Sequence, residues 1–389
     1  MHPPTFRATV AALAAGQLIC WAALFYAFSS FVLPMQQSLR WTQPQTMGAF
    51  TFGLAAWGAT TFTAGMAIDR GHGRALMSFG AAAAGAGFVG WSFVQTLPML
   101  YAVFALLGAS MAATLYEPAF MVLTKRFPEH YRQAITALTL VGGFASTLSF
   151  PACVGLIEAL GWRPALQVIG AVLLLGVAPL HAWALRGEAI APAPPRAHDA
   201  ADDATLHEAL RHRGFWLLTA CFTFYSLAAA ALWAHIMPAF ASKGIAQTEA
   251  LGVVVWFGPA QVAGRFAFLG FGPHVSSRTL GLLVLAAMPV SLAIFALAHS
   301  HAALLVFALL FGIANGLVTI VRGAVVPEFF GREHVGKISG AMSAITLLAR
   351  AAAPLAAAWA LVALGGYPAL LLGLAALGVF ALVSFALAR

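Results

Sequence analysis

Apolar runs of eighteen or more residues recur from one end of this chain to the other, separated by charge, proline and glycine. Eighteen residues at a helical rise of about 1.5 Å come close to the hydrocarbon thickness of a bilayer, roughly 30 Å, and longer runs exceed it. The breaks predict twelve helices, over 10–34, 46–68, 75–96, 99–124, 133–160, 164–185, 214–238, 247–271, 278–298, 302–326, 335–363 and 368–388. One long polar interruption remains, 186–213. It opens as an Ala/Pro linker with Asp199, Asp202 and Asp203, and from Thr205 turns into an amphipathic lead to the seventh helix. The expected architecture is an all-α membrane protein of two six-helix bundles, 1–185 and 214–389, joined by that linker. The apolar run that follows Arg7 continues through Met35, which reads as an uncleaved first helix rather than a signal peptide.

The two bundles repeat one another. At an offset of 204 residues Gly108 meets Gly312, Gly161 meets Gly365, Arg74 meets Arg278, and the "PAL" of 164–166 meets that of 368–370. The "EH" of 129–130 likewise meets "EH" at 333–334. Such a parallel duplication places a site between the halves near mid-membrane.

Polar residues inside the spans fall on helical faces. On the eleventh helix Ser339, Ser343, Thr346 and Arg350 lie at i, i+4, i+7 and i+11. The tenth offers Asn315, Thr319 and Arg322, the eighth Gln261 and Arg265, and the fourth Ser110, Thr114 and Glu117. Arg350 lies midway along its span, and Arg265 about five residues, or 7–8 Å, from its midpoint. Glu117 and Arg322 lie nearer the cytoplasmic ends.

Composition agrees with a membrane protein: 61% of residues are hydrophobic and 8% charged, against roughly 25% charged in soluble domains. Fourteen of the twenty basic residues fall on one side of the predicted topology and three (Arg40, Arg163, Lys243) on the other. By the positive-inside rule both termini and the linker are expected in the cytoplasm, across a cell inner membrane. The net charge of +8 is dispersed over short loops and makes no nucleic-acid patch. Cys20, Cys153 and Cys221 each sit in an apolar run and read as structural thiols. No phosphate-binding GxxxxGK[ST] loop occurs, and no metal or nucleophile constellation stands out. Neither a cofactor nor an enzymatic activity is expected.

The segment "GMAIDRGHGRALM", Gly65 to Met77, resembles the signature loop of the major facilitator superfamily between its second and third helices. Gly65, Asp69, Arg70, Gly73 and Arg74 match, with one extra residue between Arg70 and Gly73. The resemblance covers the whole chain and implies the twelve-helix fold, alternating access and a monomer. It also implies a cytoplasmic latch made by Asp69, Arg70 and Arg74. In the second half Arg278 is kept, but Pro273 stands where Asp69 would fall.

A basic residue in the eighth helix and another in the eleventh is similar to the oxalate/formate antiporter and monocarboxylate porter branches, Arg265 and Arg350 being the matching positions. In the monocarboxylate branch an acid precedes the eighth-helix arginine by four residues; here Gln261 stands there. Three arginines lie within the spans against Glu117 as the internal acid, which favours an anionic substrate, and a guanidinium fork suits carboxylate or phosphate. Arg350, Arg265, Gln261, Asn315, Tyr26 and Thr346 are therefore the candidate substrate contacts. Asp69, Arg70, Arg74, Glu117, Arg322 and His235 are the candidate gating or coupling groups. Glu117 reads either as an inner-gate partner of Arg322, Arg70 or Arg74 or as a coupling group. His235 reads either as a titrating group or as a packing histidine. The function expected is secondary transport of a small organic anion. Export of amphiphilic drugs and a receptor built on a transporter fold are the alternatives.

Overall fold

The structure, a computed structural model, describes residues 4–127, 129–187, 204–271, 275–330 and 335–388. The acidic cluster Asp199, Asp202 and Asp203, Pro273 and the second "EH" pair lie outside the described residues, as does the side chain of Asp69. All the regular structure among the described residues is helix, with no strand. The chain divides between residues 194 and 195 into two compact units.

The first unit holds α1 (Phe6–Leu39), α2 (Gln43–Asp69), α3 (Gly73–Ser92), α4 (Leu97–Arg126), α5 (Gln133–Leu160) and α6 (Trp162–Ala184). The second holds α7 (Arg213–Ser242), α8 (Gln247–Phe268), α9 (Ser277–Leu297), α10 (His301–Phe330), α11 (Val335–Leu364) and α12 (Tyr367–Leu387). Eleven of these are long and apolar enough to cross a membrane. Only α2, at 27 residues, is long enough but more polar, with its Gln and Thr positions. The amphipathic lead to α7 is a short helix, Leu206–Arg211, opened by a capping box between Thr205 and Glu208.

Within each unit the same helices pair. In the first, α2 packs on α4, α3 on α4 and α6, and α1 on α5 and α6. In the second, α8 packs on α10, α9 on α10 and α12, and α7 on α11 and α12. These are the same five pairs moved on by six helices. The agreement reaches single residues. A Cβ on Gly108 would meet the carbonyl oxygen of Gly53 at 1.9 Å, and one on Gly312 that of Phe257 at 2.8 Å. Gly108 and Gly312, and Gly53 and Phe257, are each 204 positions apart, so both units use one glycine to bring the same pair of helices into backbone contact.

The helix ends repeat as well. Arg74 donates from Nε to the carbonyl of Ala182 at 2.9 Å, and Arg278 from Nη2 to that of Ala386 at 2.8 Å. Both pairs are again 204 apart, and each binds carbonyls left over at the end of α6 or α12. At the end of α3, Arg163 binds the carbonyls of Ser92 and Val94. At the end of α9, Lys243 binds those of Ala296 and Ala298 at 2.8 and 3.2 Å. The acceptors are equivalent, but the cations are not: Arg163 stands in the first turn of α6 and Lys243 just after α7.

The units differ at α4. The predicted stripe Ser110–Thr114–Glu117 is broken at Leu115, whose φ of −76° and ψ of −159° lie outside the helical region. Pro118 is the cause: it has no N–H for the carbonyl of Thr114, four residues earlier, and its ring crowds that carbonyl. Gln17 of α1 fills the gap, donating from Nε2 to Thr114 at 2.6 Å and to Leu115 at 3.3 Å. In α1 a π-helical turn spans Ala22–Tyr26, and the hydroxyl of Ser149 donates to the carbonyl of Ala22 at 2.6 Å. Such turns leave backbone groups in need of partners.

Candidate functional site

In the second unit, ring contacts set the depths of three helices against one another. Trp233 of α7 packs on Phe257 of α8 and Phe311 of α10, with centroids 5.1 and 5.4 Å apart. Eleven residues from Trp233 along α7 lies Phe222, and eleven from Phe311 along α10 lies Arg322, whose guanidinium carbon is 5.5 Å from the Phe222 ring. α7 and α10 therefore run antiparallel in register. Interpolating, Tyr225, Arg265 and Thr319 share one level, with Gln261 and Asn315 a turn away toward Trp233.

Arg265 is half-buried and donates from Nε to the carbonyl of Gly316 at 3.2 Å. Gly316 permits this approach: a Cβ there would stand 2.7 Å from the carbonyl oxygen of Gln261. The Gln261 side chain is buried, and among the described residues its Nε2 has no hydrogen-bond partner. The same holds for the buried hydroxyl of Tyr225. A buried donor without a partner costs about 1–3 kcal/mol. Gln261 lies one turn before Arg265 on α8, and Tyr225 stands at the same depth on α7. Asn315 is half-buried.

On α11, Arg322 of α10 donates from Nη2 to Ser343 Oγ at 2.7 Å, and Ser343 passes its own proton to the carbonyl of Ser339 at 2.6 Å. Thr346 turns inward, bonding the carbonyl of Met342 at 2.9 Å with its hydroxyl 3.5 Å from that of Thr223 on α7. Arg350, half-buried, follows Ser343 by seven residues, about 10 Å further along the helix. Gly316 precedes Arg322 by six residues, about 9 Å. The Gly316 carbonyl that holds the Arg265 guanidinium thus stands at nearly the depth of Arg350. Pro354 has no N–H to give the carbonyl of Arg350, so that one helical bond is missing although α11 runs on through it.

The remaining candidates fall elsewhere. His235 is buried, its Nε2 3.0 Å from the carbonyl of Pro354 and its Nδ1 3.0 Å from the Tyr367 hydroxyl. A carbonyl only accepts, so Nε2 carries the proton and Nδ1 accepts from Tyr367. The imidazole ties α7 to α11 and α12. In the first unit Glu117 is exposed in the first turn after the α4 break, and Arg70 is exposed at the end of α2. Asp69 is the last residue of α2. Arg74 holds the end of α6. Tyr26 is half-buried in the π-turn, 5.2 Å from Phe25 and 6.4 Å from Phe150 between ring centres. Sequence reasoning passed over Gly316, visible only as a small residue beside Asn315. It also passed over Phe222 and the role of Gln17, which show no signal until the helices are paired. Among the described residues no group of His, Cys, Asp and Glu is placed to hold a metal.

Two repeats of six membrane helices with polar groups and arginines inside the spans define a multi-pass transporter. Residues 13–278 match the model of the Major Facilitator Superfamily, and the chain belongs to that superfamily. Its members are alternating-access transporters and not enzymes. Among known proteins, the chain is 26% identical over 267 residues to monocarboxylate transporter 13 of Rattus norvegicus, over 67% of this chain and 60% of that protein. The match therefore spans about three-fifths of that relative's length. Two crystal structures of a bacterial homologue of the human lysosomal transporter Spinster share the fold. One, inward-facing and unoccupied, has a TM-score of 0.74 at 15% identity, covering 97% of this chain and 95% of the other. The second, inward-facing and occupied, has 0.73 at 16%, covering 99% and 96%.

Proposed function

We propose that the chain moves a small organic anion, a carboxylate, across a cell inner membrane, with Arg350 and Arg265 binding the charged group. One observation carries this reading: among the described residues the interior of the second unit is rich in donors and holds no acid. Arg265 shares its level with the orphaned donors of Tyr225 and, a turn away, Gln261. From Ala250 to Pro327 the chain has no Asp or Glu, and none follows Glu333. A surplus of positive charge and N–H or O–H donors in a low-dielectric setting favours an anion. The relative named as a monocarboxylate transporter supports the same class. Gln261 in place of an acid beside Arg265 points to exchange, or to uptake of the substrate with its own proton. The distribution of basic residues supports cytoplasmic termini.

The test is the melting temperature in mild detergent against mono- and dicarboxylates, phosphate esters and lipophilic cations, with Arg350→Ala alongside. A ligand at 100 times its Kd adds about 2.7 kcal/mol. Stabilisation of the wild type alone by a carboxylate is the expected result. Stabilisation by cations alone, or by anions equally in both proteins, overturns the reading and leaves amphiphile export as the better one.

A further inference from the structure

We propose a second anion-binding station in the same unit, formed by Arg322 and Ser343, about 10 Å along α11 from Arg350. Its cargo rests on the anion reading above; its existence rests on its own geometry.

Arg322 lies inside α10 and is half-buried. Among the described residues it is met by neutral groups: the Ser343 hydroxyl at 2.7 Å and the face of Phe222 at 5.5 Å. A guanidinium has five N–H donors, and Ser343 takes one. Ser343 is committed as an acceptor, because its own proton goes to Ser339. The pair therefore holds the fork at a fixed angle without neutralising it. Ser343 is exposed, and so is Thr319, one turn before Arg322 on α10. A charge within a hydrophobic span is costly against acyl chains, so this face of the unit borders water. A charged, oriented, solvent-facing fork with donors to spare fits a carboxylate oxygen pair.

The experiment is phenylglyoxal labelling of the full chain in inside-out membrane vesicles, read at the Arg322 peptide by mass spectrometry, with oxalate as the anionic probe and uncharged oxamide as its control. Wild type, Arg350→Ala and Ser343→Ala are compared. The proposal expects Arg322 to be labelled, and oxalate but not oxamide to slow labelling several-fold in wild type and in Arg350→Ala. It expects weaker protection in Ser343→Ala. Absence of labelling at Arg322, or labelling that oxalate leaves unchanged, overturns it. Protection that vanishes in Arg350→Ala also overturns it, since Arg322 is then no independent station, while the Arg350 site stands. Protection in both proteins together with a failed melting test keeps the station and removes the Arg350 reading.

Discussion

Arg265 and Gly316 are joined by a 3.2 Å hydrogen bond from guanidinium to main-chain carbonyl, and the approach that allows it depends on Gly316 having no side chain. A methyl at 316 would meet the backbone of Gln261 at 2.7 to 3.1 Å, and backbone does not swing aside as a side-chain tip does.

Gly316→Ala is therefore expected to push α8 from α10, at a cost of about 1–3 kcal/mol, and to weaken the response to a carboxylate. Gly373→Ala on α12 is the control. A Cβ there meets nothing within 4 Å, and the gain in helix propensity should leave stability equal or up to about 1 kcal/mol higher. Thermal unfolding of both variants, with and without ligand, checks this. Equal behaviour would show that the α8–α10 approach is not set by Gly316.

Gln17 and Pro118 should be coupled. Gln17→Leu removes the donor that serves the Thr114 carbonyl and should cost about 1–3 kcal/mol. In a Pro118→Ala background the restored N–H can serve that carbonyl, so the same change should cost clearly less. A double-mutant cycle on unfolding free energy measures the difference, and strict additivity would refute the account.

His235 and Tyr367 form the third test. Tyr367→Phe removes the proton donor to Nδ1 and leaves a buried acceptor, for about 1–3 kcal/mol. Tyr367→Phe combined with His235→Leu should cost less than the two single changes added together. The pH profile of transport in reconstituted vesicles should be unmoved in Tyr367→Phe. A shifted profile would make His235 a coupling group rather than a tie.

The carbonyl clamps are open to direct comparison. Lys243→Met loses two charge-assisted bonds at the end of α9 and should lower stability by about 1–3 kcal/mol, with Lys243→Arg recovering most of it. Melting curves decide, and an unchanged Lys243→Met would make the clamp a surface contact of no weight.

The helices and their repeat were legible because lipid demands long apolar runs, and polar breaks between them leave few alternatives. Arg265, Arg322 and Arg350 stood out for the same reason: a charge in an oily run is conspicuous without any structure. The α4 break was less visible. Pro118 was in plain sight, but whether a proline kinks or breaks a helix depends on what takes the freed carbonyl, and that partner is Gln17, about a hundred residues away. Periodicity placed Glu117 on one stripe with Ser110 and Thr114, and the break removed it. The partners of Arg322 were illegible in principle. Ser343 and Phe222 become its neighbours only through the pairing of α10 with α11 and α7, which no local pattern encodes.

The α4 break has a counterpart that the offset of 204 identifies: the position of Pro118 in the first unit is that of Arg322 in the second. The same position holds a helix-breaking proline in one copy and a cation in the other. The two halves are consequently not spare parts for each other. A gene assembled from two first halves would carry the break twice and no arginine at that position, and one assembled from two second halves would carry the charge twice with no break in its fourth helix.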